Sequence, residues 1–206
     1  MTTRPNHLNR GDTLVLATHN KGKIAEFAAL LGGYGIHVRS AGELSLPEPD
    51  ETADSFAGNA ALKALAAAKA ASLPALADDS GFCVSALGGK PGIFSARWAG
   101  PQKDYPDAMR RIHDQIGDNP DRGAWFISVL CLAWPDGHTE TFEGRIDGHV
   151  VWPPHGTNGH GYDPLFAPGS GNLTFADMTD EEKNAISHRG LAFAQFRDAC
   201  LPKGAA

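Results

Sequence analysis

The chain has 206 residues, of which 42% are hydrophobic and 20% charged, and its formal net charge is −6. This length suffices for one large domain with its own core. The acidic balance argues against a general nucleic-acid surface, which needs a basic patch, but not against a small anionic substrate. The polar first dozen residues lack the apolar core of a signal peptide, and no apolar stretch is long enough to span a bilayer. We therefore expect a cytoplasmic protein without nucleic-acid or membrane partners, with a disordered tail over residues 1–12 and a single domain over residues 13–206.

The first half of the chain alternates between strand and helix patterns. The predicted elements are, in chain order, a strand at 14–17, a helix around Ile24, Phe27, Leu30 and Leu31 that Gly32 and Gly33 end, a strand at 36–39, an acidic loop at 47–51, an Ala-rich helix at 56–72, a strand that ends in ADDSG and a possible further strand at 82–87. Parallel strands joined by helices predict an α/β fold.

The second half is more irregular. The predicted elements are a loop at 88–92, a helix at 107–116, a hairpin whose strands at 124–134 and 139–151 flank the Pro-Asp-Gly turn at 135–137, an irregular Gly- and Pro-rich segment at 153–164, and C-terminal helices. Thr179 and Glu182 match a capping box, and Phe193, Phe196 and Cys200 share a helix face. We predict a mixed central sheet flanked by helices, in two lobes, with the active site in the cleft between them.

The three cysteines, Cys83, Cys131 and Cys200, lie far apart in the sequence and among apolar residues. No two of them form a CxxC pair. This pattern predicts buried free thiols in a reducing compartment.

The segment ADDSG at 77–81 carries the strongest chemical signal. Asp78, Asp79 and Ser80 follow a short apolar run, and we expect the strand to stop at the carboxylates and turn at Gly81. Carboxylate oxygens at a sheet edge suit a hard cation such as Mg²⁺, and a carboxylate there can act as a general base. The alternative is an ordinary turn, which all four residue types favour.

A second segment, LVLATHNKGK at 14–23, brings Thr18, His19 and Asn20 to the carboxyl end of a strand. That edge is the usual ligand site of open α/β sheets. Asn20 can cap the following helix, and Lys21 and Lys23 add positive charge where an anion would bind. The segment is not a Walker loop. The alternative is a capped helix with solvated lysines.

A third segment, EEKNAISHRG at 181–190, places Lys183, His188 and Arg189 around a break between two helices, the second of which Ser187 can cap. Cationic side chains at a helix start suit a phosphate or a carbonyl-rich base. A basic surface helix is the alternative.

These segments occur in one order together with DETADSF, NAALKA, GGKPGIFSARWAG and GYDPLF. The chain closely resembles the inosine triphosphate pyrophosphatase family, which cleanses nucleotide pools of non-standard purine nucleotides. The resemblance covers residues 14–201. It implies Mg²⁺-dependent hydrolysis of inosine, deoxyinosine and xanthosine triphosphates to the monophosphate and pyrophosphate, and a homodimer.

The resemblance also implies roles for individual residues. Asp79 would be the general base and a metal ligand. The acidic loop would supply further metal ligands from among Glu48, Asp50 and Glu51, of which Asp50 and Glu51 are preferred. The residues expected to contact the phosphates are Thr18, His19, Asn20, Lys21, Gly22, Lys23 and Lys63, and Ser80 would touch the substrate as well.

The purine base would bind at two segments, whose expected contact residues are His160, Gly161, Tyr162, Asp163, Lys183, His188 and Arg189. A site that offers donors to the carbonyl at position 6 of inosine and xanthosine would leave groups unpaired against the amino group of adenine. Two departures bear on this specificity, because the family usually has Gly where His19 stands and Phe where His160 stands.

Three other functions fit some of these residues. One is a zinc hydrolase that uses His155, His160 and Asp163, although their spacing lies in a Gly-rich loop and no HExxH motif exists. Another is a nucleotide sensor that binds without catalysis, against which the intact Asp78–Asp79 pair and both lysine clusters argue. The third is a related pyrophosphatase that prefers modified pyrimidines.

Overall fold

A single six-stranded mixed sheet forms the centre of the fold in the computed structural model, which describes residues 7–203. The strands are β1 (Thr13–Leu16), β2 (His37–Ser40), β3 (Ala75–Val84), β4 (Gly123–Ala133), β5 (Thr139–Val150) and β6 (Phe166–Pro168), and their order in the sheet is β2-β1-β3-β4-β5-β6. The helices are α1 (Lys21–Leu31), α2 (Phe56–Ala71), α3 (Ser95–Trp98), α4 (Tyr105–Ile116), α5 (Asp180–Ile186) and α6 (His188–Cys200). The predicted α/β class is confirmed.

The first three strands are parallel, and β2 and β3 lie on opposite sides of β1. β1 pairs with β2 on one side and with β3 on the other, so that Val15 lies opposite both Arg39 and Ala75. The crossovers through α1 and α2 therefore run in opposite directions, which makes the carboxyl end of β1 a topological switch point of the kind at which α/β sheets bind ligands.

The backbone divides into two compact units. The first comprises residues 7–79, 129–143 and 192–203 among those described, and the second comprises residues 80–128 and 144–191. The core of the first unit packs β1 and β4 against α1 and α6, with Leu16, Phe27, Leu130 and Phe196 among its buried residues. The cleft between two lobes stays a prediction.

The predicted tail at residues 1–12 differs in part from the structure. Residues 1–6 lie outside the described residues. Leu8, however, is buried in the core of the first unit, and its backbone N–H donates to the carbonyl of Cys200. Residues 7–12 thus pack onto the first unit, because an apolar side chain within this polar segment finds a place beside α6.

The second unit has a core rich in aromatic rings. Phe82, Phe126, Phe166 and Phe175 pack with ring centroids 4.9–6.0 Å apart, in tilted, stacked and edge-on pairs. Such pairs add specific geometry to the burial of large apolar surfaces. Two segments that carry candidate site residues, 153–164 and 180–191, belong to this unit.

The helix caps follow the sequence signals. Asn20 Oδ1 accepts from the N–H groups of Gly22 and Lys23, and Thr179 and Glu182 form the predicted capping box. Ser187 Oγ accepts from the N–H of Gly190 in the first turn of α6. These local predictions are confirmed, since a cap depends on residues within one helical turn.

The strand prediction at residues 75–87 is wrong in one respect. β3 does not stop at the two aspartates but continues through Gly81 to Val84, and residues 85–87 form a short 3-10 turn instead of extending a separate strand. The burial of Phe82 and Val84 in the second core gives the continuing strand its apolar contacts.

All three cysteines are free and buried, as predicted. Burial raises the pKa of each thiol to about 12. Among the helices of residues 7–203, none combines the length and the apolar character that crossing a bilayer requires.

Candidate functional site

Asp78 and Asp79 lie within β3, so neither the strand end nor the turn that the sequence suggested for them exists. Both are buried, Asp78 at 5% and Asp79 at 7% exposure. Side chains alternate across a strand, so neighbouring aspartates point to opposite faces of the sheet. A buried carboxylate needs a charged or hydrogen-bonding partner on its own face, and each of these has a lysine.

Lys23 of α1 is the partner of Asp78. Its ammonium lies 2.7 Å from Asp78 Oδ2, and the Asp78 side chain is only 1% exposed. The cap at Asn20 begins α1 four residues after β1 ends at Leu16, which places Lys23 in the first turn of the helix. Lys23 therefore stands at the switch point of the sheet with its charge close to a buried carboxylate.

Lys63 of α2 is the partner of Asp79. Its Nζ donates to Asp79 Oδ1 at 3.1 Å, to the backbone carbonyl of Asp78 at 3.1 Å and to Glu51 Oε1 at 2.6 Å. Burial lowers the pKa of Lys63, but the charges of Asp79 and Glu51 more than offset this and leave the pKa raised. Lys63 thus stays charged while it joins the acidic loop to β3.

Asp79 has the electrostatic character of a base. Burial raises its pKa, Glu51 adds to the rise, and Lys63 and Lys23 offset it only in part. Its Oδ2 atom is buried and has no hydrogen-bond partner among residues 7–203. A carboxylate with a raised pKa and one uncommitted oxygen can accept a proton or bind a cation.

The remaining residues of the segment 18–23 make local contacts. Thr18 Oγ1 accepts from the N–H of Asn20, and Asn20 caps α1. His19 Nε2 lies 3.1 Å from the carbonyl oxygen of Leu46, in the stretch that leads into the acidic loop. Lys21 is exposed, and Gly22 lies against the Asn20 cap, where an added Cβ would be 3.3 Å from Oδ1.

Only two of the proposed metal ligands lie close to the same group. Glu51 and Asp79 converge on Lys63 Nζ, whereas Asp50 is exposed beside Glu51. Among residues 7–203 there is no group of three or more His, Cys, Asp or Glu side chains that would hold a metal ion by itself. The carboxylates of Glu51 and Asp79, the latter with its buried Oδ2 atom, fit Mg²⁺, which proteins commonly bind through one or two carboxylates plus substrate phosphates.

The segment 159–163 in the second unit is built around Asp163. This carboxylate is 2% exposed, and its Oδ2 accepts from the backbone N–H of His160 at 2.7 Å and from Lys183 Nζ at 2.6 Å. Gly159 has φ +71°, and a Cβ added there would lie 2.2 Å from Asp163 Oδ2. The loop therefore requires glycine at 159 for close approach to the carboxylate.

Tyr162, an expected substrate contact, is packed in the core of the second unit. It is 3% exposed, its hydroxyl donates to the carbonyl of Ser95, and its ring stacks on Phe82 and meets Tyr105 edge-on. Burial raises its pKa. The ring is a core residue that anchors the loop, because an aromatic body with a single polar tip packs well where that tip finds an acceptor.

His188 and Arg189 begin α6 and are also largely buried. The His188 ring stacks on Phe126 with centroids 4.9 Å apart, and Arg189 Nη2 donates to Ser80 Oγ at 3.2 Å. Ser80 follows Asp79 directly in β3. The predicted basic cluster thus exists with its charges partly engaged, and it is not the solvated helix face of the alternative interpretation.

The alternative zinc site is not formed. His155 pairs with Asp177, with Nδ1 3.0 Å from Oδ2, while Asp163 pairs with Lys183. His155 and Asp163 thus have different partners, and within residues 7–203 they belong to no group of three or more side chains that could hold a metal ion.

No separate role was predicted for Asp78, the first residue of the aspartate pair. The available signal was the strand alternation, which predicts that two adjacent carboxylates in one strand need two separate partners. The structure supplies them as Lys23 and Lys63.

The model of the Ham1 family matches residues 14–199. A protein of Gluconobacter oxydans named dITP/XTP pyrophosphatase is 60% identical over 194 residues, covering 94% of this chain and 93% of its own length. A Bradyrhizobium protein of the same name is 53% identical over 207 residues, which cover 95% and 97%. The solved structure of a HAM1 protein from Coxiella burnetii is 38% identical, with a TM-score of 0.86 and coverage of 91% and 97%.

Proposed function

The chain belongs to the Ham1 family, and we propose that it hydrolyses non-standard purine nucleoside triphosphates, such as those of inosine, deoxyinosine and xanthosine, to the monophosphate and pyrophosphate. The observation that carries this proposal is the buried pair Asp79–Lys63 with Glu51 on the same ammonium. It puts a base of raised pKa beside two groups suited to phosphate and cation at the switch point of the sheet.

Mg²⁺ is part of the proposal, with Glu51 and Asp79 as its protein ligands and Asp50 as a nearby further candidate. Three carboxylates, Glu51, Asp78 and Asp79, face two ammonium groups, those of Lys23 and Lys63. This balance disfavours a polyanion on its own. When bound, a divalent cation would invert the local charge, neutralise phosphate oxygens and lower the pKa of water.

Different side chains of the protein would carry out different parts of the reaction. Lys23 holds the triphosphate by charge-assisted hydrogen bonds, and Lys63, whose three donors bind Glu51, Asp79 and the carbonyl of Asp78, adds positive charge beside it. Asp79 takes a proton from the water that attacks the α-phosphorus. The bond from that phosphorus to the bridging oxygen of the leaving group breaks, so pyrophosphate departs and the nucleoside monophosphate retains the oxygen from water. Lys63, held between Asp79 and Glu51, keeps the base in place.

Discrimination between purines rests in this proposal on Lys183, His188 and Arg189. These donors would pair with the acceptor at position 6 of hypoxanthine and xanthine. An amino group there leaves them unpaired, at about 1–3 kcal/mol for each buried group. The hydrogen bonds to the buried Asp163 and to the partly buried Ser80 support this role, since they hold Lys183 and Arg189 in fixed directions before substrate arrives. A homodimer, expected from the family resemblance, and a cytoplasmic location, expected from the sequence, stay predictions.

The deciding experiment is a nucleotide panel with product identification. Purified protein with Mg²⁺ is given the triphosphates of inosine, deoxyinosine, xanthosine, adenosine, guanosine and modified pyrimidines, and phosphate release is measured with and without added inorganic pyrophosphatase. We expect phosphate from the inosine and xanthosine compounds only when pyrophosphatase is present. Direct release of orthophosphate would contradict cleavage at the α-phosphorus. Binding without turnover would favour the nucleotide sensor.

A further inference from the structure

His19 joins two loops that are separate in the sequence. Its Nε2 lies 3.1 Å from the backbone carbonyl oxygen of Leu46, 27 residues away. A carbonyl only accepts hydrogen bonds, so this ring nitrogen carries the proton and donates. The backbone N–H of Leu46 already donates to the carbonyl of Ala41. The His19 bond therefore completes the fixation of Leu46 at the entrance to the acidic loop.

The rest of the imidazole also contacts this region. Its Nδ1 lies 3.8 Å from Glu48 Oε2, and its Cδ2 would be 3.7 Å from a Cβ added at Gly42. The His19 and Glu48 side chains are 37% and 66% exposed. Such an exposed ion pair contributes little in water. The geometric hold therefore comes mainly from the bond to Leu46.

Each of the joined loops carries part of the proposed site. The segment 18–23 carries Lys23, which meets Asp78. Five residues beyond Leu46 stands Glu51, whose Oε1 is 2.6 Å from Lys63 Nζ. His19, Glu48 and Lys63 also line one small cavity. A tether at Leu46 restricts how far Glu51 can move from Lys63 and thus from Asp79.

We propose that His19 is a positioning residue that fastens the acidic loop to the phosphate-binding segment and so keeps Glu51 beside Lys63 and Asp79. The function of the tether rests on the proposed function, whereas the tether itself does not. A glycine at this position would provide no side chain to make it. The presence of His19 thus gives this chain a connection between its two phosphate- and cation-binding loops that a glycine cannot provide.

The test measures amide hydrogen exchange of the nucleotide-free protein in the segment 46–55. We expect His19→Gly to speed exchange there roughly two- to tenfold, the factor that the loss of one hydrogen bond permits. His19→Gln, whose side-chain amide can still donate to Leu46, should restore slow exchange. Glu48→Gln is the matched control that removes only the ion pair, and it should leave exchange unchanged. Exchange in β5 should be the same in all four proteins.

Kinetics on inosine triphosphate and ATP accompany the exchange measurement. His19→Gly should lower kcat/KM on both nucleotides by a similar factor, with recovery in His19→Gln. Unchanged exchange in His19→Gly would overturn the tether even if activity fell, because the ring would then act on the substrate directly. Faster exchange in Glu48→Gln equal to that of His19→Gly would also overturn it. Hydrogen exchange does not depend on turnover. An inactive protein would therefore contradict the proposed function without contradicting the tether.

Discussion

The ammonium of Lys23 and the carboxylate of Asp78 lie 2.7 Å apart, with Lys23 22% and Asp78 1% exposed at the side chain. The asymmetry has an energetic consequence. A lysine that loses its partner can turn its ammonium towards water. An aspartate this deeply buried cannot, so the loss of Lys23 leaves a negative charge in a poorly hydrated place.

Lys23→Ala should therefore destabilise the protein by roughly 2–4 kcal/mol, the size expected when one partner of a buried ion pair is removed. Lys21→Ala is the matched control, because Lys21 is exposed in the same helical turn, and it should change stability by no more than about 0.5 kcal/mol. Denaturant unfolding measures both. Adding Asp78→Asn to Lys23→Ala should recover at least about half of the loss. A double variant less stable than Lys23→Ala would contradict the account.

Asp79→Asn should reduce turnover of inosine triphosphate by at least about 10²-fold, the lower end of a general base's contribution. The change keeps the shape of the side chain and leaves Lys63 its contact with Glu51, so folding should be retained. Initial rates of pyrophosphate release measure the effect. Asp54→Asn, at an exposed position near the acidic loop, is the control. A folded Asp79→Asn protein with near-normal turnover would remove Asp79 from its assigned role.

The elements that could be predicted are those whose signals are local. The strand and helix of residues 13–31, the capping box at Thr179 and the hairpin around 135–137 each depend on residues within one turn or one strand of each other. The course of β3 through Asp78 and Asp79 could not be predicted in this way. Asp, Ser and Gly favour turns locally, whereas Lys23 and Lys63, which belong to two different helices, supply the ion pairs that make buried carboxylates tolerable inside a strand.

In the candidate site too, local motifs mark some features, whereas others depend on contacts between distant parts of the chain. The sequence located the segments around Asp79, Lys63 and Arg189, because the motif blocks mark them. It did not predict that Tyr162 would be buried, since a tyrosine beside a charged residue in a Gly-rich loop gives no sign of the aromatic core that receives it. The contact of His19 with Leu46 could not be predicted either, because it joins residues 27 positions apart and depends on the path of the loop after β2.

Gly159→Ala should disturb the Asp163–Lys183 pair. The added Cβ would lie 2.2 Å from Asp163 Oδ2, and φ at this residue is +71°. Gly169→Ala is the matched control, because its φ of +63° imposes the same left-handed strain while no atom lies within 4 Å of the added Cβ. We expect Gly159→Ala to lose roughly 2–4 kcal/mol more stability than the control, as a buried pair is displaced. Equal losses in denaturant unfolding would show that the contact is not a constraint.

The buried thiols should make the protein less stable in alkali. Burial holds the pKa of Cys131 at about 12, whereas an unfolded thiol titrates at roughly 8.5. Between these values the folded thiol keeps a proton that the unfolded one has lost, so this contribution to stability falls as pH rises through that range. Cys131→Ala should show a smaller decline in the free energy of unfolding between pH 8 and pH 10 than the unmodified protein. An identical decline would show that other groups cause it.

Lys23→Ala and Arg189→Ala should separate phosphate holding from base recognition. All nucleotides share the triphosphate, so removal of Lys23 should lower kcat/KM for inosine triphosphate and ATP by similar factors. Arg189 is held by Ser80 in the basic cluster of the second unit, and as a donor to the purine carbonyl it should favour inosine in the transition state. Arg189→Ala should therefore reduce the ratio of the two efficiencies. Initial rates at low substrate concentration for two nucleotides and three proteins measure this. If Arg189→Ala leaves the ratio unchanged while Lys23→Ala collapses it, the proposed assignment of base and phosphates is reversed.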